Sequence, residues 1–238
     1  MALETFEFKQ FSIVHDRCAM KVGTDAVLLG AWAPISHSIK SILDIGAGSG
    51  ILALMLAQRS NAELIDGLEI DRESYEQCVI NFETSPWADR LFCYHASLKE
   101  YSNEIYSKYD LIISNPPFYN DTYTTKDTSR NTARFESAMP FVELLESIKN
   151  LLSNNGYFCV IIPYDFEANF INLANIKMLY CNKLLRVRGK KNGDIKRSLM
   201  MFSFEKKLVK IDELYLEEKR HNYSNAYIDL TKEFYLKF

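Results

Sequence analysis

Leu43-Asp44-Ile45-Gly46-Ala47-Gly48-Ser49-Gly50 is the stretch that decides the fold of this chain. A short apolar run leads into three glycines at every second position, and helix-forming residues 51–59 follow at once. A strand, a glycine turn and a helix in this order are typical of the first β-α unit of a parallel sheet. Glycines at such a turn allow the backbone to pass close to a ligand. The stretch therefore predicts a ligand-binding turn at the carboxyl end of a strand.

The rest of the chain continues the alternation of strands and helices. Apolar runs at 63–68, 91–95, 109–114 and 156–162 predict further strands with helices between them, and two β-like runs follow at 178–187 and 198–204. This order predicts an α/β, Rossmann-like fold, with a mostly parallel sheet and helices on both faces. We predict a main domain over 41–205, an N-terminal cap over 1–40, and a C-terminal extension over 206–238 packed on that domain. Within the cap, a helix is expected to cover the first strand, with Thr24 as its N-cap.

Composition restricts the class of protein. The chain has 238 residues, 47% of them apolar, and a net charge of −3, so any contact with nucleic acid must be local. Its five cysteines are scattered without a C-x-x-C pair, which favours a reduced, cytoplasmic protein. No apolar run approaches the length of a membrane span, and no signal peptide is visible, so we expect no membrane association.

A second motif, Asn115-Pro116-Pro117-Phe118, follows the strand predicted at 109–114. Proline restricts the residue before it to extended conformations and has no N–H, so the two prolines hold this strand end rigid. The Asn115 side chain and the Pro116 carbonyl present hydrogen-bond acceptors, and Phe118 presents an aromatic face. This set suits a planar group that carries an exocyclic amine.

The glycine turn by itself fits either of two cofactors. Glu69 ends the next strand 19 residues after Gly50, where an acid can accept the hydroxyls of a ribose. A nicotinamide dinucleotide would use the same arrangement, so an oxidoreductase and a non-catalytic cofactor-binding module remain alternatives. The G-x-G-x-G spacing, the carboxylate of Asp44 before the turn and the Asn-Pro-Pro-Phe motif together favour S-adenosylmethionine.

These motifs resemble those of class I S-adenosylmethionine-dependent methyltransferases that modify amino groups. The chain is most similar to the bacterial tRNA1-Val adenine-37 N6-methyltransferase family, through residues 8–11, 15–25, 28–32, 43–50, 113–118 and the tail 223–236. The resemblance implies a seven-stranded sheet whose last strand is antiparallel, and methyl transfer to N6 of adenosine 37 beside the anticodon of valine tRNA. Many class I enzymes place an Asp near the end of strand three; His95-Ala96-Ser97 stands here, so backbone groups or Ser97 would contact the cofactor adenine.

The expected site residues follow from the motifs and the resemblance together. The catalytic set is Asn115, Pro116, Pro117 and Phe118. The cofactor contacts are Lys21, Thr24, Asp25, Asp44, Gly46, Ala47, Gly48, Gly50, Glu69, Ile70, Ala96, Ser97 and Asn115. For Lys21, Thr24 and Asp25 the alternative is a helix start that serves packing alone. Four scattered histidines predict no metal site, and neither His15 nor His95 receives a catalytic role.

A basic stretch at 186–197 is the candidate RNA-binding surface. It carries six cations against one acid, Asp194, with two glycines between two predicted strands. The cations are Arg186, Arg188, Lys190, Lys191, Lys196 and Arg197, and Arg130 and Arg134 would add to them. A solvated hairpin loop is the alternative interpretation. The partner implied by the resemblance is the anticodon loop of valine tRNA, and we expect a monomer.

Other substrates share the Asn-Pro-Pro-aromatic motif. A protein glutamine N5-methyltransferase could hold its amide in the same way, and it would need a peptide groove rather than the basic stretch. Guanine N2 of rRNA and adenine N6 of DNA are further alternatives. The motif alone does not separate them.

Overall fold

The computed structural model describes residues 4–18, 20–117 and 141–238. The strands are β1 (Thr5–Glu7), β2 (Ser12–Val14), β3 (Ser41–Ile45), β4 (Leu64–Glu69), β5 (Leu91–His95), β6 (Tyr109–Ser114), β7 (Leu152–Pro163), β8 (Tyr180–Lys190), β9 (Ile195–Ser203), β10 (Lys210–Lys219) and β11 (Asn222–Tyr223). The helices are α1 (Thr24–Trp32), α2 (Ile51–Arg59), α3 (Arg72–Glu83), α4 (Leu98–Glu104), α5 (Phe141–Leu151), α6 (Glu167–Ile176) and α7 (Asn225–Thr231), with a 3₁₀ turn at Tyr164–Phe166.

Nine strands of the described part form one sheet, in the order β11-β10-β8-β9-β7-β6-β3-β4-β5. The strands from β5 to β7 are parallel neighbours, whereas β9 is antiparallel to both β7 and β8. The Rossmann-like α/β fold predicted from the sequence is therefore confirmed, and so is the antiparallel strand near its end. The sheet has two strands more than the seven expected, because β10 pairs with β8 and β11 pairs with β10.

The sequence analysis did not predict β10, because this strand is charged and lies almost at the edge of the sheet, where only its end pairs with the two-residue strand β11. Six of its ten residues are charged, and only Leu214 is buried. Edge strands carry such charges because one side of their backbone remains unpaired. The expected C-terminal extension thus adds strands to the sheet, in addition to the helix α7.

All the strands that carry candidate site residues reach the same edge of the sheet. β3, β4, β5, β6, β7, β8 and β10 run in one direction, so their carboxyl ends lie at this edge. β9 runs in the opposite direction, and its beginning joins them, since Arg197 is paired with Pro163. We call this the carboxyl edge. Open α/β sheets bind their ligands there.

The sheet is covered on both faces. α1, α2 and the tail pack on one face with a core that includes Ile42 and Leu54, and α5 and α6 pack on the other with Leu43 and Phe158. α1 approaches α2 closely at Gly30, where an added Cβ would lie 2.7 Å from Met55 Sδ. β3 is buried from Ile42 to Ile45, as expected for a strand covered on both faces, and Asp44 is the one charged residue in this buried run.

The N-terminal cap and the C-terminal tail hold each other in place. β1 and β2 form an antiparallel hairpin, as the spacing of Phe6, Phe8, Phe11 and Ile13 indicates. Phe8 forms an isolated bridge with Tyr235 of the tail. The helix α1 begins at Thr24, and its N-cap is Gly23, so the prediction of Thr24 as N-cap is wrong. The helix starts one residue earlier than expected, because the extended backbone ends at Gly23.

Candidate active site

The glycine turn joins β3 to α2 and forms the floor of the site. Gly46, Gly48 and Gly50 all have positive φ angles, of 71°, 55° and 82°. At Gly50 a Cβ would also lie 2.5 Å from Phe82 Cε1, so both conformation and space require glycine. A Cβ at Gly48 would meet nothing within 4 Å. The turn therefore presents exposed backbone to an open space in which a ligand can approach closely.

Asp44 supplies a buried carboxylate just before this turn. Its Oδ2 accepts the amide hydrogen of Ala53 at 3.2 Å, while its Oδ1 has no hydrogen-bond partner. Burial raises the pKa of Asp44 to about 7, the Ala53 hydrogen bond opposes this shift, and the nearby charge of Glu69 adds to it. An unpaired buried acceptor is costly unless a ligand completes it. A ligand with a cationic end fits this requirement.

Glu69 closes the other side of the turn from the end of β4. Its Oε2 accepts the amide hydrogen of Gly48 at 2.8 Å, and its Oε1 accepts those of Ile70 and Asp71 at 2.9 Å each. Burial raises the pKa of Glu69, and these three N–H groups act against the shift. The carboxylate is thus held rigidly beside the turn. Its remaining lone pair and the exposed side chain of Ile70 provide a polar and an apolar contact for a nucleoside.

Ala96 and Ser97, which follow β5, already use the hydrogen-bonding groups that were expected to contact the cofactor adenine. Ser97 is the N-cap of α4 and forms a capping box with Glu100: Ser97 Oγ donates to Glu100 Oε2 at 2.7 Å and accepts the Glu100 amide hydrogen at 3.2 Å. The Ser97 amide also donates to Glu100, and the Ala96 amide donates to the Glu69 carbonyl. A contact of Ala96 or Ser97 with a cofactor adenine stays a prediction, and it would compete with these hydrogen bonds.

Asn115 and the two prolines follow β6 directly at the carboxyl edge. Ser114 Oγ donates to the Ile45 carbonyl at 2.8 Å, which fastens the end of β6 to the last residue before the glycine turn. Pro116 is buried, and Asn115 and Pro117 are half-buried. The Asn115 side chain has no hydrogen bond with any residue that the structure describes. Phe118 lies outside the described residues.

Two of the three cofactor contacts predicted around the start of α1, Lys21 and Asp25, form ion pairs within the protein. Lys21 Nζ lies 2.5 Å from Glu4 Oε2, and this pair lowers the pKa of Glu4. Asp25 Oδ2 accepts from Arg197 Nε at 2.7 Å. Thr24 is the first residue of the helix. Cofactor contacts by these three residues stay predictions, and the pair of Asp25 with Arg197 joins a predicted cofactor residue to a predicted RNA residue.

The basic stretch lies at the carboxyl edge. Its arginines bond to acceptors within the protein, whereas its lysines are exposed to solvent. Arg186 donates to buried Glu167 at 2.7 Å, and Arg188 donates to the Gly193 carbonyl at 2.7 Å and pairs with Glu213. Lys190, Lys191 and Lys196 are exposed. Lys196 Nζ lies 3.4 Å from Asp194, and Lys191 lies 5.9 Å above the Tyr215 ring. The lysines are therefore the cations best placed for an RNA backbone, and Arg130 and Arg134 lie outside the described residues.

Sequence analysis missed two amides of α3 that hold the cap against the glycine turn. Asn81 Nδ2 donates to the carbonyls of Val14 and Ser49 at 2.9 and 2.8 Å, and its Oδ1 accepts the Val14 amide hydrogen. Gln77 likewise uses both ends of its amide: its Oε1 accepts the Arg17 amide hydrogen, and its Nε2 donates to Asp16 Oδ1. The signal for them was two amide side chains, four residues apart, beside the apolar face of this helix. His15 also has a structural partner, since its Nδ1 accepts the Val22 amide hydrogen at 2.9 Å.

The described residues lack the side-chain groups and helices that two other kinds of site require. Within residues 4–18, 20–117 and 141–238, no group of three or more His, Cys, Asp or Glu side chains could hold a metal ion. None of the described helices is long and apolar enough to cross a membrane.

Comparison with known proteins identifies the family. The methyltransferase small domain family matches residues 22–168. A Flavobacterium johnsoniae protein named tRNA1(Val) (adenine(37)-N6)-methyltransferase is 59% identical over 98% of this chain and 99% of its own length. A Pectobacterium carotovorum protein with the same name is 43% identical over 97% and 93%.

Solved structures agree on the fold. A predicted O-methyltransferase from Agrobacterium tumefaciens superposes with a TM-score of 0.67 over 88% of this chain and 96% of its own, at 17% identity. TYW2 from Pyrococcus horikoshii in complex with MeSAdo gives a TM-score of 0.56 over 84% and 70%, at 13% identity. The glycine turn, the acid that ends β4 and the Asn-Pro-Pro strand end lie together at the carboxyl edge of such a sheet. The chain thus belongs to the tRNA1(Val) (adenine(37)-N6)-methyltransferase family, within the methyltransferase small domain family.

Proposed function

We propose that this protein transfers a methyl group from S-adenosylmethionine to the exocyclic N6 of adenosine 37 in valine tRNA. The names of its full-length relatives support this substrate. The observation that carries the mechanism is Asn115, whose side chain bonds to no described residue and which stands at a strand end that Ser114 fastens to the glycine turn. The names of these relatives do not favour the glutamine, rRNA or DNA alternatives.

The cofactor would lie across the glycine turn. The backbone of Gly46, Ala47, Gly48 and Gly50 would form its floor, Asp44 would meet its cationic amino-acid end, and Glu69 would accept the ribose hydroxyls. The unpaired Oδ1 of Asp44 and the open space above Gly48 support this fit. When bound, S-adenosylmethionine supplies an electrophilic methyl group on a sulfonium.

The Asn-Pro-Pro motif would activate the adenine amine. The N6 lone pair is delocalised into the ring, which makes this nitrogen a poor nucleophile. Asn115 Oδ1 and the Pro116 carbonyl would accept its two hydrogens and favour a more tetrahedral nitrogen, and their fixed dipoles would stabilise the positive charge that develops on it. No general base is needed before attack, because the proton becomes acidic only after the methyl group has moved. Rigid positioning of this kind contributes up to about 7–11 kcal/mol to lowering a barrier.

RNA would approach along the carboxyl edge. Adenine must leave its stack to reach Asn115, and extrusion is least costly in a single-stranded anticodon loop. Lys190, Lys191 and Lys196 would contact phosphates, with Arg130 and Arg134 as further candidates. We also propose a monomeric, cytoplasmic enzyme in which residues 41–205 form the catalytic domain, and 1–40 and 206–238 pack on it.

Transfer of labelled methyl groups to tRNA lacking this modification, followed by nucleoside analysis, tests the proposal. Wild type is expected to place N6-methyladenosine at position 37 of valine tRNA, and Asn115→Ala is expected to form it far more slowly. Transfer to no RNA, despite normal cofactor binding, would refute the substrate while leaving the fold intact.

A further inference from the structure

An open groove of about 770 Å³ lies between the N-terminal hairpin, the tail and the ends of β8 and β10. It is separate from the glycine turn and from Asn115. Its wall and rim include Phe6, Tyr223, Tyr235 and Phe238 on the aromatic side and Lys190 and Lys237 on the basic side. Its volume falls in the range of small-ligand sites.

The aromatic wall is continuous. The ring centroids of Tyr223 and Phe238 are 5.2 Å apart, those of Phe238 and Tyr235 are 5.1 Å apart, and Phe6 follows Tyr235 at 6.3 Å. Tyr223 is 37% exposed, so part of its ring is open to solvent at the groove. Exposed ring faces of this kind are the surfaces on which unpaired bases stack.

The rim adds positive charge where the aromatic wall ends. Lys190 and Lys237 are exposed, and neither forms an ion pair with any described residue. Glu7 and Glu217 also line the groove, so it does not attract anions uniformly. Glu217 Oε1 is engaged by the amide of His221 at 3.2 Å. This combination suits one base with its flanking phosphates.

The groove is continuous with the candidate RNA-binding surface. Lys190 ends β8 and also belongs to the basic stretch. Between β6 and β8 the sheet contains β7 and β9, which is about 14 Å across the sheet at a strand spacing of about 4.8 Å. The register places Ser114 level with Leu184, so Lys190 at the end of β8 lies about 20 Å further along the strand direction. Both ends are at the carboxyl edge. A single RNA strand can therefore span from Asn115 to the groove.

We propose that this groove binds a second unpaired nucleotide of the same RNA, with its base stacked on Tyr223, its edge against the Phe238 ring that meets Tyr223 at 70°, and its phosphates at Lys190 and Lys237. The inference rests on the proposed tRNA methyl transfer and adds to it a stacking site away from the target adenine. It gives a role to the place where the N-terminal hairpin and the tail, far apart in sequence, meet the ends of β8 and β10.

The test is equilibrium binding of unmodified valine tRNA by two groove variants, Tyr223→Leu and the double variant Lys190→Ala with Lys237→Ala. Tyr223→Leu is expected to weaken binding roughly tenfold through lost stacking. The double lysine variant is expected to reduce the dependence of log K on log salt by about 0.7 for each lost phosphate contact. Both are expected to raise KM for tRNA and to bind S-adenosylmethionine as wild type does.

The matched controls are Tyr106→Leu and Lys206→Ala. Tyr106 is 92% exposed and precedes β6, and Lys206 follows β9, so both lie at the opposite edge of the sheet. They are expected to bind tRNA as wild type does. The double lysine variant keeps the test valid if Tyr223→Leu fails to fold, because both lysines are on the surface.

Wild-type tRNA affinity and salt dependence in both groove variants would overturn the inference. An equal loss of tRNA affinity in the groove variants and in the control variants would also overturn it. If the groove binds a protein segment instead, the groove variants would keep wild-type affinity for tRNA. If wild type methylates tRNA while the groove variants are unaffected, this inference fails together with the phosphate contact proposed for Lys190, and the proposed methyl transfer stands. If wild type transfers no methyl group to tRNA, the proposed function itself fails.

Discussion

Glu69 accepts the amide hydrogen of Gly48 at 2.8 Å, and this one contact joins the acid that ends β4 to the glycine turn that follows β3. The turn is thereby held in a fixed shape before any ligand arrives. A site that is shaped in advance loses less free energy to ordering when it binds.

We expect Glu69→Ala to weaken S-adenosylmethionine binding by at least tenfold, because it removes both the acceptor for the ribose hydroxyls and the support of Gly48. Isothermal titration calorimetry measures this directly. Glu63→Ala, an exposed acid just before the same strand, is the control and should bind normally. Equal affinity in wild type and Glu69→Ala would refute this role.

Asn115→Ala is expected to reduce kcat by roughly 10²–10³-fold, the effect of removing one acceptor or donor that acts in a transition state. Cofactor affinity should stay within a factor of a few, because the glycine turn is intact. Asn115→Asp keeps an acceptor at the same position and should retain far more activity. Single-turnover methyl transfer separates the three proteins, and equal loss in the Ala and Asp variants would argue against the acceptor role.

The raised pKa of Asp44 predicts two effects of pH. An unfolded Asp titrates near 3.9, whereas burial raises the pKa of folded Asp44 to about 7. The folded state therefore holds the extra proton between these values, and this contribution to stability declines as pH rises from about 4 to about 7. A cationic ligand favours the ionised carboxylate, so cofactor affinity should rise with pH over the same upper range.

Calorimetry between pH 6 and 7.5, together with thermal unfolding, checks both effects. In Asp44→Asn the pH dependence of affinity and of stability should be smaller, because no proton is exchanged at this position. An unchanged pH profile in this variant would assign the dependence to another group.

Asn81→Ala is expected to destabilise the protein by about 1–3 kcal/mol, because the backbone groups of Val14 and Ser49 would lose their partner in a buried place. Urea unfolding measures the change. Asn103→Ala, at an exposed position of α4, should stay within about 0.5 kcal/mol of wild type. Cofactor binding should weaken as well, since Ser49 belongs to the turn.

Arg186 and Lys191 should behave differently although both belong to the basic stretch. Arg186→Ala leaves buried Glu167 without its partner, so stability should fall toward the lower end of roughly 3–5 kcal/mol. Lys191→Ala should leave stability unchanged and weaken tRNA binding at low salt. Urea unfolding and tRNA binding are measured on both variants. A stable Arg186→Ala with weak tRNA binding, or a destabilised Lys191→Ala with normal tRNA binding, would contradict these roles.

Local sequence predicted the elements that depend on contiguous residues. The glycine turn, the Asn-Pro-Pro strand end and the apolar β3 each impose a backbone conformation through their own residues, so their place in the fold followed from sequence. β10 was not predicted, because a charged edge strand lacks the apolar alternation that marks a strand. Capping by Thr24 was wrong by one position, since helix boundaries depend on the flanking chain.

The sequence by itself thus determined the α/β fold, the family and the two motifs that meet at the carboxyl edge. Only the tertiary structure decided which charges are free: Arg186, Arg188 and Arg197 lie in a basic stretch, yet Glu167, Glu213 and Asp25 accept from them. It also decided that Asn81 supports the glycine turn and that the tail and the hairpin enclose a groove. The physical reason is that backbone conformation is encoded by neighbours in sequence, whereas an ion pair or a groove depends on strand register and packing between distant segments.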